Sequence, residues 1–287
     1  MANVKIIIHH GASEIGGNTV QIFHGEDSIL LDYGTPLMDG KRPKYFNSKD
    51  LKNINAFLIS HPHLDHTGMS KELKNIPFYM GKDTERALKI QFTHTKRGVD
   101  ISKHTVINFE PYKKFFFKNF SILPIPVNHS SYGAYSFIIT AGNKNIFYSG
   151  DLRAHGRSSY KWENLLSQIR KNNRVDMALL EGTNLDPGRS NAAKTETQIE
   201  NLIFNRMKES KNPILIQFSP LNLDRFVSVI RACIKAKYTF IIDPYAAHFL
   251  EEIRATGEIA KEGAVKIHSW EDKIFKIYPS NAKKNIH

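Results

Sequence analysis

The stretch Ser60–Gly68, SHPHLDHTG, follows the apolar run AFLIS and limits the possible folds more than any other segment of the chain. Its first six residues after Ser60 hold three histidines and an aspartate, in a chain with 13 histidines among 287 residues. A short apolar run bounded by polar residues reads as a buried strand. Residues two apart on an extended chain point the same way, so His61 and His63 face one point at the strand's exit, with Pro62 stiffening the link. Asp65 and His66 begin the turn into a helix and aim at a second point close by. Two such foci at the rim of a sheet are what a two-metal site needs. The bland alternative is a histidine-rich solvated loop.

Short β-type runs bounded by turn residues fill the first half, at 4–8, 19–23, 28–34, 56–60, 120–127, 135–141 and 145–151. Residues 142–144, GNK, form a hairpin turn between the last two. Helices are expected near 69–75, 83–92 and 160–171. Strands that come mainly in hairpins, with few interposed helices, predict sheets packed face to face under helical cover. Past residue 182 the pattern changes to helix 196–210, strand 213–219, helix 222–237 and strand 238–244. That alternation predicts a parallel βαβ sheet, and hence two domains, 1–182 and 183–287.

Two further stretches supply what the histidine cluster lacks. PVNHSSYGAYSF places His129 just after a strand, and IFYSGDLR places Asp151 at the end of another. Each alone is an ordinary loop residue. Together they complete a set, with His61, His63 and His129 on one ion, Asp65 and His66 on a second, and Asp151 bridging. Asp32 in ILLDYG also ends a strand; it either orients ligands by hydrogen bonds or is an ordinary turn aspartate.

The chain carries 40 lysines and arginines against 28 acidic residues, a formal charge of +12. That balance suits a polyanionic partner, although an AT-rich genome inflates lysine as well. The single Cys233 excludes an intrachain disulfide framework and, at helical spacing from Phe226 and Val229, reads as a buried structural thiol. There is no 18-residue apolar segment, and the start MANVKIIIHHG lacks a signal peptide's apolar core, so a cytoplasmic protein without membrane partners is expected.

EIGGNTV (14–20), LLDYG (30–34), HPHLDH (61–66), His129 in VNHSS and YSGD (148–151) follow in the order and approximate spacing of the metallo-β-lactamase superfamily, which residues 1 to about 182 resemble. Residues 183–255, with ILIQFSPLNLDRFVSVIRACIKA and IIDPYAAHFL, resemble the β-CASP insertion of the ribonuclease J and cleavage-and-polyadenylation nuclease branch. Glu181 in LLEGTN stands where that branch carries its first acidic motif. The resemblance implies an α/β chain, an αββα sandwich followed by a partial β-CASP-like βαβ domain that clamps nucleic acid over metals at the sheet rim. It also implies two further histidines after the insertion, one completing the second metal and one assisting the leaving group under the steering of Glu181. After Asp243 the candidates are His248, His268 and His287, none in the expected small-residue setting. The chain is therefore expected to be cut short within its β-CASP part, the missing ligand coming from a further C-terminal segment or a homo-oligomer.

The function expected is metal-dependent hydrolysis of a phosphodiester in RNA, or in single-stranded DNA, by a metal-bridging hydroxide that Asp65 and Asp151 hold in place. Asp32 and Glu181 assist. No G-x-S-x-G motif offers a serine nucleophile. Two divalent ions are implied, zinc from the imidazole-rich donor set, with manganese as the alternative. Lys96, Arg97, Lys113, Lys114, Arg153 and Arg157 could track a phosphate backbone. Phe115, Phe116 and Phe117 offer either a stacking face or a strand that buries one or two of them. Two other readings stay open: a small-molecule ester, thioester or lactone hydrolase, and a catalytically reduced nucleic-acid-binding subunit.

Overall fold

A computed structural model describes residues 3–36, 53–171, 174–183, 193–255 and 275–277. The chain divides into two compact units, Met1–Ala154 with Tyr160–Ser190, and His155–Ser159 with Asn191–His287.

The first unit holds two sheets. Strands β1 (Val4–His10), β2 (Thr19–His24), β3 (Asp27–Leu31), β4 (Ala56–Leu58), β5 (Phe78–Gly81) and β6 (Val106–Phe109) form a six-stranded sheet in sequence order. Its first three strands pair antiparallel, and β3 to β6 run parallel. The second sheet contains β7 (Phe115–Phe117), β8 (Phe120–Pro126), β9 (Tyr135–Ala141), β10 (Lys144–Tyr148) and β11 (Met177–Leu179), in the order β11-β10-β9-β8-β7. Helices α1 (Leu64–Thr67), α2 (Lys82–Thr95) and α3 (Tyr160–Lys171) complete this unit's described helices.

Alternation along the strands builds the layers. Ile29 and Leu31 of β3 and Ala56 and Leu58 of β4 meet Ile122, Phe137 and Ile139 of the second sheet in a buried core between the sheets. Leu30, Phe57 and Ile59 point the other way and pack with Leu88 of α2. On the far side, Leu123 and Ile138 pack with Leu165 and Trp162 of α3. The result is an αββα sandwich, the α/β architecture expected. Each fully buried Leu, Ile or Phe contributes about 1.5–3 kcal/mol, so the layer between the sheets contributes strongly to holding them together.

The second unit holds α4 (Glu196–Glu209), α5 (Leu223–Ala236), α6 (Pro244–Ala255) and the parallel strands β12 (Phe240–Ile242) and β13 (Phe275–Ile277). A capping box joins Thr195 and Gln198 at the start of α4, and the Asn222 side chain accepts from the Arg225 amide to cap α5. Cys233 is buried with Met207, Val229 and Ala232, and burial pushes its thiol up to about 11, as befits a structural thiol. Glu200 is buried among cations: Arg157 at 2.6 Å, Lys235 at 2.5 Å and Arg231 at 3.3 Å. These cations outweigh burial and hold its carboxyl below the usual range. Among the described residues no helix is long and apolar enough to cross a membrane.

Several elements differ from the sequence expectation. The helix over 69–75 resolves into α1 at Leu64–Thr67 and a 3-10 turn at Ser70–Glu72, with Asn75 in the left-handed region at φ 60° closing the run. Residues 213–219 show strand alternation without a ladder: Ile214, Ile216 and Phe218 pack on the α4–α5 core, while Leu215 is 97% exposed. A strand is defined by its hydrogen-bonded neighbour, and the described residues supply none to this segment. β5, β6 and the parallel edge strand β11 are additions to the expected strands. Of the three consecutive phenylalanines, Phe115 and Phe117 turn inward and Phe116 outward.

Candidate metal centre

β4 and β3 run side by side, so their C-terminal ends open at the same rim. At that rim Asp32 adopts φ 53° and is wholly buried. Its carboxylate accepts from the Ser60 amide at 2.8 Å, the Ser60 hydroxyl at 2.6 Å, the Tyr148 hydroxyl at 2.7 Å and His66 Nδ1 at 2.7 Å. Four donors offset the cost of burying a charge. By accepting at Nδ1, Asp32 leaves His66 Nε2 facing Asp151 Oδ1 at 3.2 Å and Asp65 Oδ2 at 3.8 Å. The Asn18 side-chain amide lies 3.0 Å from the same nitrogen.

Around the second focus, His63 Nδ1 lies 3.1 Å from His61 Nε2 and 3.2 Å from His129 Nε2. Asp151 spans the two foci: besides His66, its Oδ2 lies 3.5 Å from His129 and 4.0 Å from His61. Two donor groups result, His61 with His63 and His129, and His61 with His66 and Asp151, the donor atoms of each within 4.8 Å of one another. Asp65 stands beside them, near His66, and belongs to neither tight group.

The electrostatics divide the histidines. Burial, then His66, His129 and His63, hold His61 well below its ordinary value. Burial, then His63, takes His129 down to about 3, and burial also lowers His63. These three rings are therefore neutral at physiological pH, each with one nitrogen free of a proton to serve as a ligand atom. His66 is the opposite case. Burial opposes its charge, but Asp32 and Asp151 outweigh it and raise it to about 10, so a cation held at Nε2 would displace the proton there. Asp151 lies below the usual carboxylate range because His66 and the other rings outweigh its burial. Converging neutral imidazoles beside a charged carboxylate fit a divalent cation, and imidazole with few carboxylates suits zinc.

The groups open on a cleft of about 890 Å3 whose walls include Asp65, Asp151, Glu181, Ile8, Ile15 and Leu180. Glu181 Oε1 accepts from the Leu152 amide at 2.8 Å, and burial, reinforced by Asp151, pushes its carboxyl upward. Among the described residues lining the cleft there is no lysine or arginine. The cations expected to track phosphate lie elsewhere. Lys113 pairs with Glu110, Arg153 Nε donates to Asn128 at 2.6 Å, and Arg157 belongs to the second unit, bound to Glu200. His248 faces Glu252 at 3.9 Å on α6; His268 and His287 lie outside the described residues.

Asn18, Ser60 and Tyr148 were not among the expected site residues. Each sits inside or beside a stretch already singled out, EIGGNTV, SHPHLDH and YSGD, and a polar group at the end of an apolar strand was the available signal.

Residues 28–202 match the beta-lactamase superfamily domain, a span that contains every residue of both donor groups. The chain is 26% identical over 171 residues to the Probable RNase MJ4 of Methanocaldococcus jannaschii, covering 52% of this chain and 39% of that protein. It is 35% identical over 91 residues to the RNase J-like protein of the same organism, covering 32% of this chain and 18% of that one. The matches thus span well under half the length of these relatives. A crystal structure of a protein of unknown function from Enterococcus faecalis V583 shares the fold, with a TM-score of 0.73 at 20% identity over 89% of this chain and 68% of that one.

Proposed function

The chain belongs to the metallo-β-lactamase superfamily, and from that membership we propose that it is a metal-dependent phosphodiesterase that cleaves RNA. One observation carries the reading: two donor groups share His61 and are spanned by Asp151 at the base of an open cleft. The relatives named as ribonucleases and the charge of +12 support a nucleic-acid substrate over a small neutral ester.

His61, His63 and His129 would hold one divalent ion, and His66 and Asp65 a second, with Asp151 between them. Such a pair supplies Lewis acidity towards a phosphoryl oxygen and acidifies water near neutral pH. The chain's own groups do the rest. Asp32 fixes the His66 ring so that Nε2 faces the cleft. Asp65 and Asp151 accept hydrogen bonds from the attacking water and orient it in line with phosphorus. Glu181, whose carboxyl burial pushes upward, stands on the cleft wall, where it would steer the group that assists the leaving oxygen. The same reading divides the chain into a catalytic part, 1–182, and a β-CASP-like part, 183–287, that contacts the nucleic acid.

Labelled single-stranded RNA and a chromogenic ester, each incubated with the full chain before and after chelation, test this. RNA cleavage that stops with chelator and returns with zinc or manganese is the expected result. Turnover of the ester with the RNA intact would contradict it.

A further inference from the structure

The His129 loop is held both beside the metal centre and, at its apex, by helix α2. Its base is closed by the Val127 amide donating to the Ala134 carbonyl at 2.9 Å. The next amide, Tyr135, donates to the Ser60 carbonyl at 3.0 Å and ties the loop to the segment that carries His61. Arg153 grips Asn128 twice, through its amide at 2.7 Å and its Nε at 2.6 Å. The apex rests on the first turn of α2. There the buried Thr84 hydroxyl donates to the Gly133 carbonyl at 2.7 Å, and the Tyr132 hydroxyl donates to Asp83 at 3.1 Å. The approach is close: a Cβ on Gly133, which sits at φ 72°, would lie 2.6 Å from the Thr84 nitrogen, and one on Gly81 would lie 2.4 Å from the Tyr135 ring.

We infer that the first turn of α2 is a clamp that sets the position of His129, making Thr84, with Asp83 and Tyr132, positioning residues for cation binding by the three-imidazole group. This rests on the metal-centre reading above. A ligand ring must be held to within about 0.5 Å, and groups one layer behind the ligands typically change metal affinity about 10–100-fold. Losing the Thr84 hydroxyl leaves the Gly133 carbonyl without its donor and frees the apex, so His129 drifts from His63.

The test is a zinc titration of the full chain against a competing chelator dye, paired with the visible absorption of the cobalt(II)-loaded protein. Thr84→Val weakens zinc binding by the three-imidazole group about 10-fold or more and changes the cobalt spectrum, while Thr84→Ser, which keeps the hydroxyl, stays within about two-fold of the unaltered protein. If Thr84→Val does not fold, Tyr132→Phe, which removes the hydroxyl bonded to Asp83, lowers the affinity in the same direction. Unchanged affinity in the variant that folds, or equal losses in Thr84→Val and Thr84→Ser, overturns the clamp alone. Failure of the unaltered protein to bind zinc overturns both the clamp and the metal-centre reading.

Discussion

Asp32 combines a left-handed backbone, complete burial and four hydrogen-bond donors, and this makes its substitution informative. Asparagine tolerates that backbone conformation, so Asp32→Asn leaves the turn undisturbed. Its amide nitrogen, however, cannot accept from Tyr148 and His66, and His66 loses the charge that fixes its Nδ1 proton. The expected outcome is a loss of about 10–100-fold in affinity for the His66 cation, read by competitive chelator titration; a change below two-fold would contradict the role. At this scale the ligand residues are legible in the sequence because they crowd one strand exit. Their supporting groups are not. Tyr148 meets Asp32 across 116 residues and Asn18 meets His66 across 48, separations no local pattern encodes.

Among the elements, the turn after β3 and helix α1 interlock through their backbones. Tyr33 donates to the His66 carbonyl at 2.7 Å, Thr35 to Leu64 at 2.8 Å, and Asn18 to Asp65 at 3.0 Å. Gly34 sits inside this seam, where a Cβ would lie 1.5 Å from the Asp65 carbonyl oxygen. No side chain is available to move aside; the backbone itself must part. Gly34→Ala should therefore cost about 3 kcal/mol or more and lower the melting temperature by about 6 °C or more, measured by calorimetry on the metal-free chain. A melting temperature within about 1 °C of the unaltered protein would contradict the interlock. Strands in hairpins were legible because alternation and the GNK turn mark them. β5 was missed because a parallel strand buried on both faces shows no alternation, and β6 because it is a four-residue edge strand with Ile107 and Asn108 exposed. The strand at 213–219 was expected from an apolar run between two helices, a pattern that does not state which strand pairs with it.

Over the whole molecule, the sandwich brings the ends of β3, β4 and β10, helix α1 and the loop between β8 and β9 to one rim, and each contributes a residue to the centre or its support. Sheets packed face to face under helical cover were legible from strand grouping, and the αββα order from the family resemblance. The cation-free lining of the described cleft was not, because net charge does not state where charges stand. Along the described lining, carboxylates without lysine or arginine offer phosphate little attraction unless cations are held there, so the proposal requires that the chain bind two of them. Diffraction from zinc-loaded crystals at the zinc absorption edge measures this directly. Two anomalous peaks, one coordinated by His61, His63 and His129 and the other by His66 and Asp65, with Asp151 between them, are the predicted result. Zinc bound only at other sites, with these rings uncoordinated, would contradict the account.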